Sequence, residues 1–162
     1  MKNRLTFSIL VLLMLIINSK TFSQSGKVPP FRMIQANGKI FKAENLPIGK
    51  PIVIIYFSPD CEDCQRLTKE LLARINDFKG VSFAMVTYQP VENVSKYVTK
   101  NSLGKYDNIY VGTEGSSLFI KNYYNIMQFP FVALYNKNGD LIVKYNTKEV
   151  DLDNLLYRIK TL

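Results

Sequence analysis

An α/β domain with a mixed sheet flanked by helices is predicted by three features of this sequence. Ile52–Phe57 and Val81–Thr87 are continuous apolar, largely β-branched runs, which suit strands buried on both faces. Between and after them lie segments whose apolar residues recur at helical spacing. Two hairpin signals, Asn37-Gly38 near the start and Asn136–Gly139 near the end, bracket the whole. The resulting order is hairpin, strand–helix–strand–helix, then hairpin–helix, a single layered domain. The 162 residues suffice for one such domain with a true core, and neither an internal repeat nor a low-complexity tract interrupts them.

The first 23 residues stand outside this pattern. Lys2 and Arg4 precede the nearly unbroken apolar run Leu5–Ile17, and Asn18–Ser23 is polar with small residues at Thr21-Phe22-Ser23. That layout predicts a secretory signal peptide over 1–23, with cleavage after Ser23. The run is shorter than the roughly 20 residues of a membrane span, so a retained membrane anchor is the second reading. Residues 24–30 read as a loose leader, and 31–162 as the domain.

The elements of the domain follow in order. Phe31–Ala36 and Lys39–Ala43 pair about Asn37-Gly38, whose residues accept the positive φ of a tight turn. Gly49-Lys50-Pro51 breaks the chain before Ile52–Phe57. After the loop Ser58-Pro59-Asp60, a helix is expected from Cys61 to Phe78, with Leu67, Leu71, Leu72 and Ile75 on one face and Gly80 as its stop. Val81–Thr87 is the next strand. Pro90–Asn101 reads as a helix facing Val94, Tyr97 and Val98 inward; Asn108–Val111 as a short strand; Ser116–Tyr124 as a helix. Phe131–Tyr135 is a third core strand, Asp140–Tyr145 its antiparallel partner, and Glu149–Ile159 a helix with Leu152, Leu155, Leu156 and Ile159 on one face.

Composition narrows the chemistry. The formal charge is +8, and removing Lys2, Arg4 and Lys20 leaves +5, with the cations scattered among acids. No basic run points to nucleic acid. There are two cysteines and no histidine. A metal site, which leans on His or several Cys, is not expected. Cys–His and Ser–His catalytic pairs are impossible.

What remains is Cys61-Glu62-Asp63-Cys64, a C-x-x-C pair between a buried strand and an amphipathic helix. Backbone N–H groups and the helix dipole at that end favour negative charge, so the first cysteine ionises more readily, and thiolate is the attacking form. Cys61 is thus the expected nucleophile and Cys64 the residue that resolves the mixed disulfide. As a structural staple the pair would contribute little, because a ring with two intervening residues hardly restricts the unfolded chain. Asp60, Glu62 and Asp63 surround the pair with three acids. Nearby negative charge opposes thiolate formation, which makes the couple more reducing and predicts an electron donor.

Gln128-Phe129-Pro130-Phe131 lies just before the third core strand. With it, the apolar strand, the C-x-x-C helix start and the later x-Pro before a hairpin resemble the thioredoxin superfamily. The closest likeness is to exported thiol–disulfide oxidoreductases of the TlpA/ResA type, which also begin with a hairpin. The resemblance covers roughly residues 28–162. It implies a thioredoxin fold in which Pro130 is cis beside the disulfide and, with Phe129 before it, binds the substrate chain. It implies no cofactor beyond the redox-active Cys61–Cys64 disulfide itself. The implied location is the periplasm or the secreted fraction. The implied partners are disulfide-containing exported proteins and an upstream donor that is a membrane protein or another thioredoxin-like protein.

The departures are specific. Asp60 stands where the family usually has Trp, and Asp63 where it often has Pro. Ile55 occupies the place of thioredoxin's buried acid, and Leu67 that of a Glu found in related exported reductases. A buried acid helps move the resolving cysteine's proton. Its absence leaves room for a second reading, a binding or assembly module with a structural disulfide. A third is a thiol peroxidase with Ser58 in place of that family's Thr. Of the aromatics near the proline, Tyr123, Tyr124, Phe129 and Phe131, core packing is the expected role. Tyr56, Phe57 and Ser58 are expected to back the site.

Overall fold

The computed structural model describes residues 26–146 and 150–162. The signal-peptide reading, the first two residues of the leader and Glu149 lie outside the described residues.

Seven strands form one sheet in the order β2-β1-β5-β4-β3-β6-β7. They are β1 (Arg32–Gln35), β2 (Ile40–Lys42), β3 (Ile52–Tyr56), β4 (Ser82–Thr87), β5 (Ile109–Thr113), β6 (Phe131–Tyr135) and β7 (Leu141–Tyr145). β3, β4 and β5 run parallel, and the remaining pairs are antiparallel. The helices are α1 (Glu62–Ala73), α2 (Val91–Lys100), α3 (Phe119–Tyr123) and α4 (Leu152–Lys160).

The alternation of β3 divides the core. Val53, Ile55 and Phe57 face a layer that includes Cys64, Leu67 and Leu71 of α1, Val94 and Tyr97 of α2, and Leu155 of α4. Ile52, Ile54 and Tyr56 face the other layer, with Phe31, Met33, Phe41, Ile120 and Tyr124. Every residue of β3, β4 and β6 is buried. Each such large apolar side chain contributes about 2 kcal/mol by leaving water. That is why these three strands read as unbroken apolar runs.

Several elements differ in detail from expectation. The first hairpin turns on three residues: Gly38 alone takes positive φ (+78°), and its N–H donates to Gln35 O at 2.9 Å. α1 stops at Ala73, where Arg74 leaves helical geometry (φ −117°, ψ 18°), and a 3₁₀ turn covers Ile75–Phe78. The tighter winding swings Phe78 wholly into the core, edge-on to Phe83 at 5.7 Å. The helical stretch after β5 splits into a 3₁₀ turn, Gly115–Ser117, and α3, separated by Leu118 in the left-handed region. The end of the leader is also tied down. Val28 N–H donates to Gly139 O at 3.0 Å, and Lys27 pairs with Asp140 at 2.6 Å.

Candidate active site

The loop leaving β3 carries the cysteine pair. Cys61 caps α1 with extended backbone (φ −84°, ψ 121°), and its Sγ accepts the Cys64 N–H at 3.2 Å. The turn is held by Cys61 N–H donating to Ser58 O (3.1 Å) and by the Gln65 side-chain amide donating to Pro59 O (2.8 Å). Capping by a sulfur satisfies an N–H that would otherwise lack a partner, and it sets Cys61 Sγ at the positive end of the helix dipole. Both residues are free thiols; Cys61 is half-buried and Cys64 is 1% exposed.

Across the fold, the loop before β6 meets this turn. Cys61 Sγ lies 3.8 Å from Phe129 O, although the two residues are 68 positions apart. The Phe129–Pro130 peptide bond is cis, and Pro130 is buried. Phe129 lies between two other aromatic rings, Tyr56 at 5.7 Å and the exposed Tyr88 at 5.9 Å. Lys121 Nζ sits 5.7 Å from the centre of the Tyr88 ring.

Burial pushes the Cys64 thiol well above the ordinary range. The contact with Cys61 adds to the effect, a backbone hydrogen bond from Ser58 opposes it, and the charges of Cys61 and Asp63 reinforce it. The three acids around the pair sit at its rim. Asp63 is paired with Arg66 at 2.8 Å, Asp60 accepts from Gln89 at 3.4 Å, and Glu62 is exposed.

Behind Cys64 the surroundings are apolar. Ile55 and Leu67, which stand where the family resemblance implies an acid, are 4% and 5% exposed within the same cluster as Cys64. The polar group in that wall is Tyr97, 4% exposed, whose hydroxyl donates to Thr68 Oγ1 at 2.7 Å while its ring packs on Phe57 at 4.9 Å. Burial, first, and then the nearby cysteine charges raise Tyr97 to about 12 despite the Thr68 bond. The helical spacing of α2 points Tyr97 inward, but nothing in the sequence pairs it with Thr68.

A buried carboxylate does exist, on the opposite face. Glu114, directly after β5, is 8% exposed, and it is the one charged side chain among the buried residues described. It accepts from Tyr56 OH at 2.7 Å and from the N–H groups of Ile120 (2.7 Å) and Lys121 (3.3 Å). Glu114 escapes a reading of the sequence because the strand it follows extends two residues beyond the sequence-predicted Val111. Of the proline-side aromatics, Phe131 and Tyr124 are core, as expected, while Tyr123 and Phe129 are only partly buried.

A sequence profile for the thioredoxin-like domain matches residues 24–156. This chain belongs to the thioredoxin-like domain family. Solved structures cover 82–83% of it in the three examples that follow. A secreted Mycobacterium tuberculosis disulfide oxidoreductase homologous to Escherichia coli DsbE is 23% identical (TM-score 0.67), covering 82% of this chain and 96% of that one. The thioredoxin domain of a Bacteroides vulgatus thiol–disulfide oxidoreductase is 21% identical (TM-score 0.67; 83% and 94% covered). A thiol peroxidase from Chromobacterium violaceum is 13% identical (TM-score 0.69; 83% and 84% covered). At these identities the likeness is one of fold. No curated protein matches the sequence.

Proposed function

We propose that this thioredoxin-like protein is an exported thiol–disulfide oxidoreductase that reduces cysteine disulfides of other exported proteins through Cys61 and Cys64. The observation that carries the reading is the position of Cys61 Sγ. It caps α1, receives the Cys64 N–H at 3.2 Å and lies 3.8 Å from the carbonyl before cis-Pro130.

The Cys61 thiolate attacks one sulfur of the substrate disulfide and expels the other as a thiolate, leaving a mixed disulfide. Cys64 gives up its proton and attacks Cys61 Sγ. The Cys61–Cys64 disulfide forms, and the substrate's second sulfur leaves and takes up a proton. The first-expelled thiolate takes up from solvent the proton that Cys61 released there on ionising, so that, counted from the dithiol, the substrate gains two electrons and two protons and the protein loses them. An upstream dithiol donor, a membrane protein or another thioredoxin-like protein, restores the pair. Phe129 and Pro130 form the surface against which the substrate chain lies. The rim acids Asp60, Glu62 and Asp63, together with the raised Cys64 thiol, favour a reducing couple, since thiolates that are poorly stabilised make the reduced form the better donor.

The test is insulin or glutathione-disulfide reduction by the processed protein beside Cys61→Ser and Cys64→Ser. Both variants are expected to lose turnover, and Cys64→Ser to accumulate mixed disulfides with substrate. Slow reduction unchanged by either substitution would instead mark a binding or assembly module. Cys61-dependent peroxide consumption faster than disulfide exchange would mark a peroxidase. A measured potential near that of strong periplasmic oxidants would reverse the proposed direction.

A further inference from the structure

The edge of the sheet opposite the cysteines carries a second surface. β3 begins there at Ile52, paired with Tyr135 at the end of β6, whereas Cys61 follows the far end of β3. Between the segment before β3 and the turn after β6 lies an open groove of about 640 Å³, with Phe31, Leu46, Pro47 and Ile52 in its walls. Ile48, on the same segment, is 100% exposed. Isolated apolar residues on a surface are ordinary, but a fully exposed isoleucine at the lip of an apolar groove is a patch.

The rim of the groove is basic. Arg32, Lys42, Lys50 and Lys137 line it with a single acid, Glu44. Lys42 is paired with Glu44 at 3.1 Å, and Arg32, Lys50 and Lys137 have no ion-pair partner among the described residues. Val28 also lines the groove, and its N–H is bonded to Gly139 O.

We infer that this end of the domain docks on the surface of an anionic lipid bilayer, with Ile48 and Pro47 at the headgroup boundary and Arg32, Lys50 and Lys137 against lipid phosphates. An apolar tip beside three cations that have no ion-pair partner among the described residues matches such a surface in both of its properties. Each cation near an anionic membrane strengthens binding about fivefold. Docked this way, the domain turns Cys61 away from the bilayer. Membrane docking does not depend on the redox reading, and its test reads no disulfide chemistry.

The sequence contains no tryptophan, so one introduced indole reports alone. Ile48→Trp places the reporter at the groove. Met127→Trp places it at the cysteine end, where Met127 is 81% exposed. The processed protein, beginning at Gln24 and carrying either substitution, is mixed with phosphatidylcholine vesicles, with or without phosphatidylglycerol, whose acyl chains are brominated. The expected result for Ile48→Trp is a blue shift and strong quenching on anionic vesicles, relieved by salt. The Met127→Trp chain is expected to stay unquenched. Adding Arg32→Glu, Lys50→Glu and Lys137→Glu to Ile48→Trp is expected to return its fluorescence to the phosphatidylcholine level, with the circular dichroism spectrum showing the fold intact. Equal quenching of both reporters, or of neither, on anionic vesicles overturns the inference. So does quenching of the groove reporter that ignores lipid charge and the three reversals. A groove reporter already blue-shifted without vesicles would mean that the chain itself or a second copy fills the groove, which also overturns it.

Discussion

The two faces of the sheet treat polar groups in opposite ways. On the Cys64 face, Ile55 and Leu67 close off the places where the family resemblance implies a carboxylate, and a tyrosine–threonine hydroxyl pair is what remains behind the cysteine. On the other face Glu114 is buried and fully engaged, bonded to Tyr56 and to two N–H groups at the start of α3. Tyr124 and Tyr135 hydroxyls meet on that face as well. A buried acid is thus present in the molecule but separated from Cys64 by the sheet. There it ties α3 and Lys121 to β3 and β5. The two faces differ in kind: on one, burial raises the Cys64 thiol, and on the other, hydrogen bonds to Glu114 hold the start of α3.

The largest test of this contrast is Ile55→Asp, which puts an acid on the Cys64 face without a partner. It is expected to lower unfolding free energy by about 3 to 5 kcal/mol in urea titrations. A loss below about 1 kcal/mol would show that water or Tyr97 accommodates the charge and that the face is less apolar than its residues imply. Glu114→Ala strips the opposite face. It strands the Tyr56 hydroxyl and two N–H groups and is expected to cost about 3 kcal/mol. Single-turnover exchange at Cys61 should stay near the parent value. A large loss of exchange with little loss of stability would tie the two faces together chemically.

A third test uses pH. The folded state holds the Cys64 thiol above its ordinary value near 9.0, so the unfolded chain gives up that proton first. The resulting stability is complete below about pH 9 and declines as pH rises beyond it. The reduced protein should therefore lose stability between about pH 9 and 11 faster than Cys64→Ala, read by urea midpoints. The smallest effect expected is that of Tyr97→Phe, which removes one hydrogen bond and about 1 kcal/mol. The slope of the alkaline stability curve attributed to Cys64 should persist in it.

Much of the fold was legible because it rests on local pattern. β3, β4 and β6 are apolar throughout, since both of their faces are covered. The inward residues Val94, Leu155 and Leu156 follow from helical spacing. What escaped the sequence depended on distant neighbours. Arg74 breaks the first helix while pairing with both Asp77 and Asp153, the latter far along the chain. Gly112 reads as an unremarked residue near a short strand. In the fold, a Cβ there would meet Ile34 O and Met33 Cγ, each at 2.8 Å, so only glycine lets β1 approach β5. The sequence pattern also carried no sign that β1 is inserted between β2 and β5.

The amino-acid sequence alone determined the element order, the C-x-x-C pair at a helix start and the absence of histidine chemistry. These follow from side-chain type and spacing within a turn or a strand, where each residue's neighbours are its neighbours in the chain. Tertiary structure alone decided that Phe129 O stands beside Cys61, that the carboxylate of Glu114 lies across the sheet from Cys64, and that a basic-rimmed groove forms at the opposite edge. Those relations join residues far apart in the chain, and they arise because a mixed sheet sets strands side by side without regard to their separation in sequence.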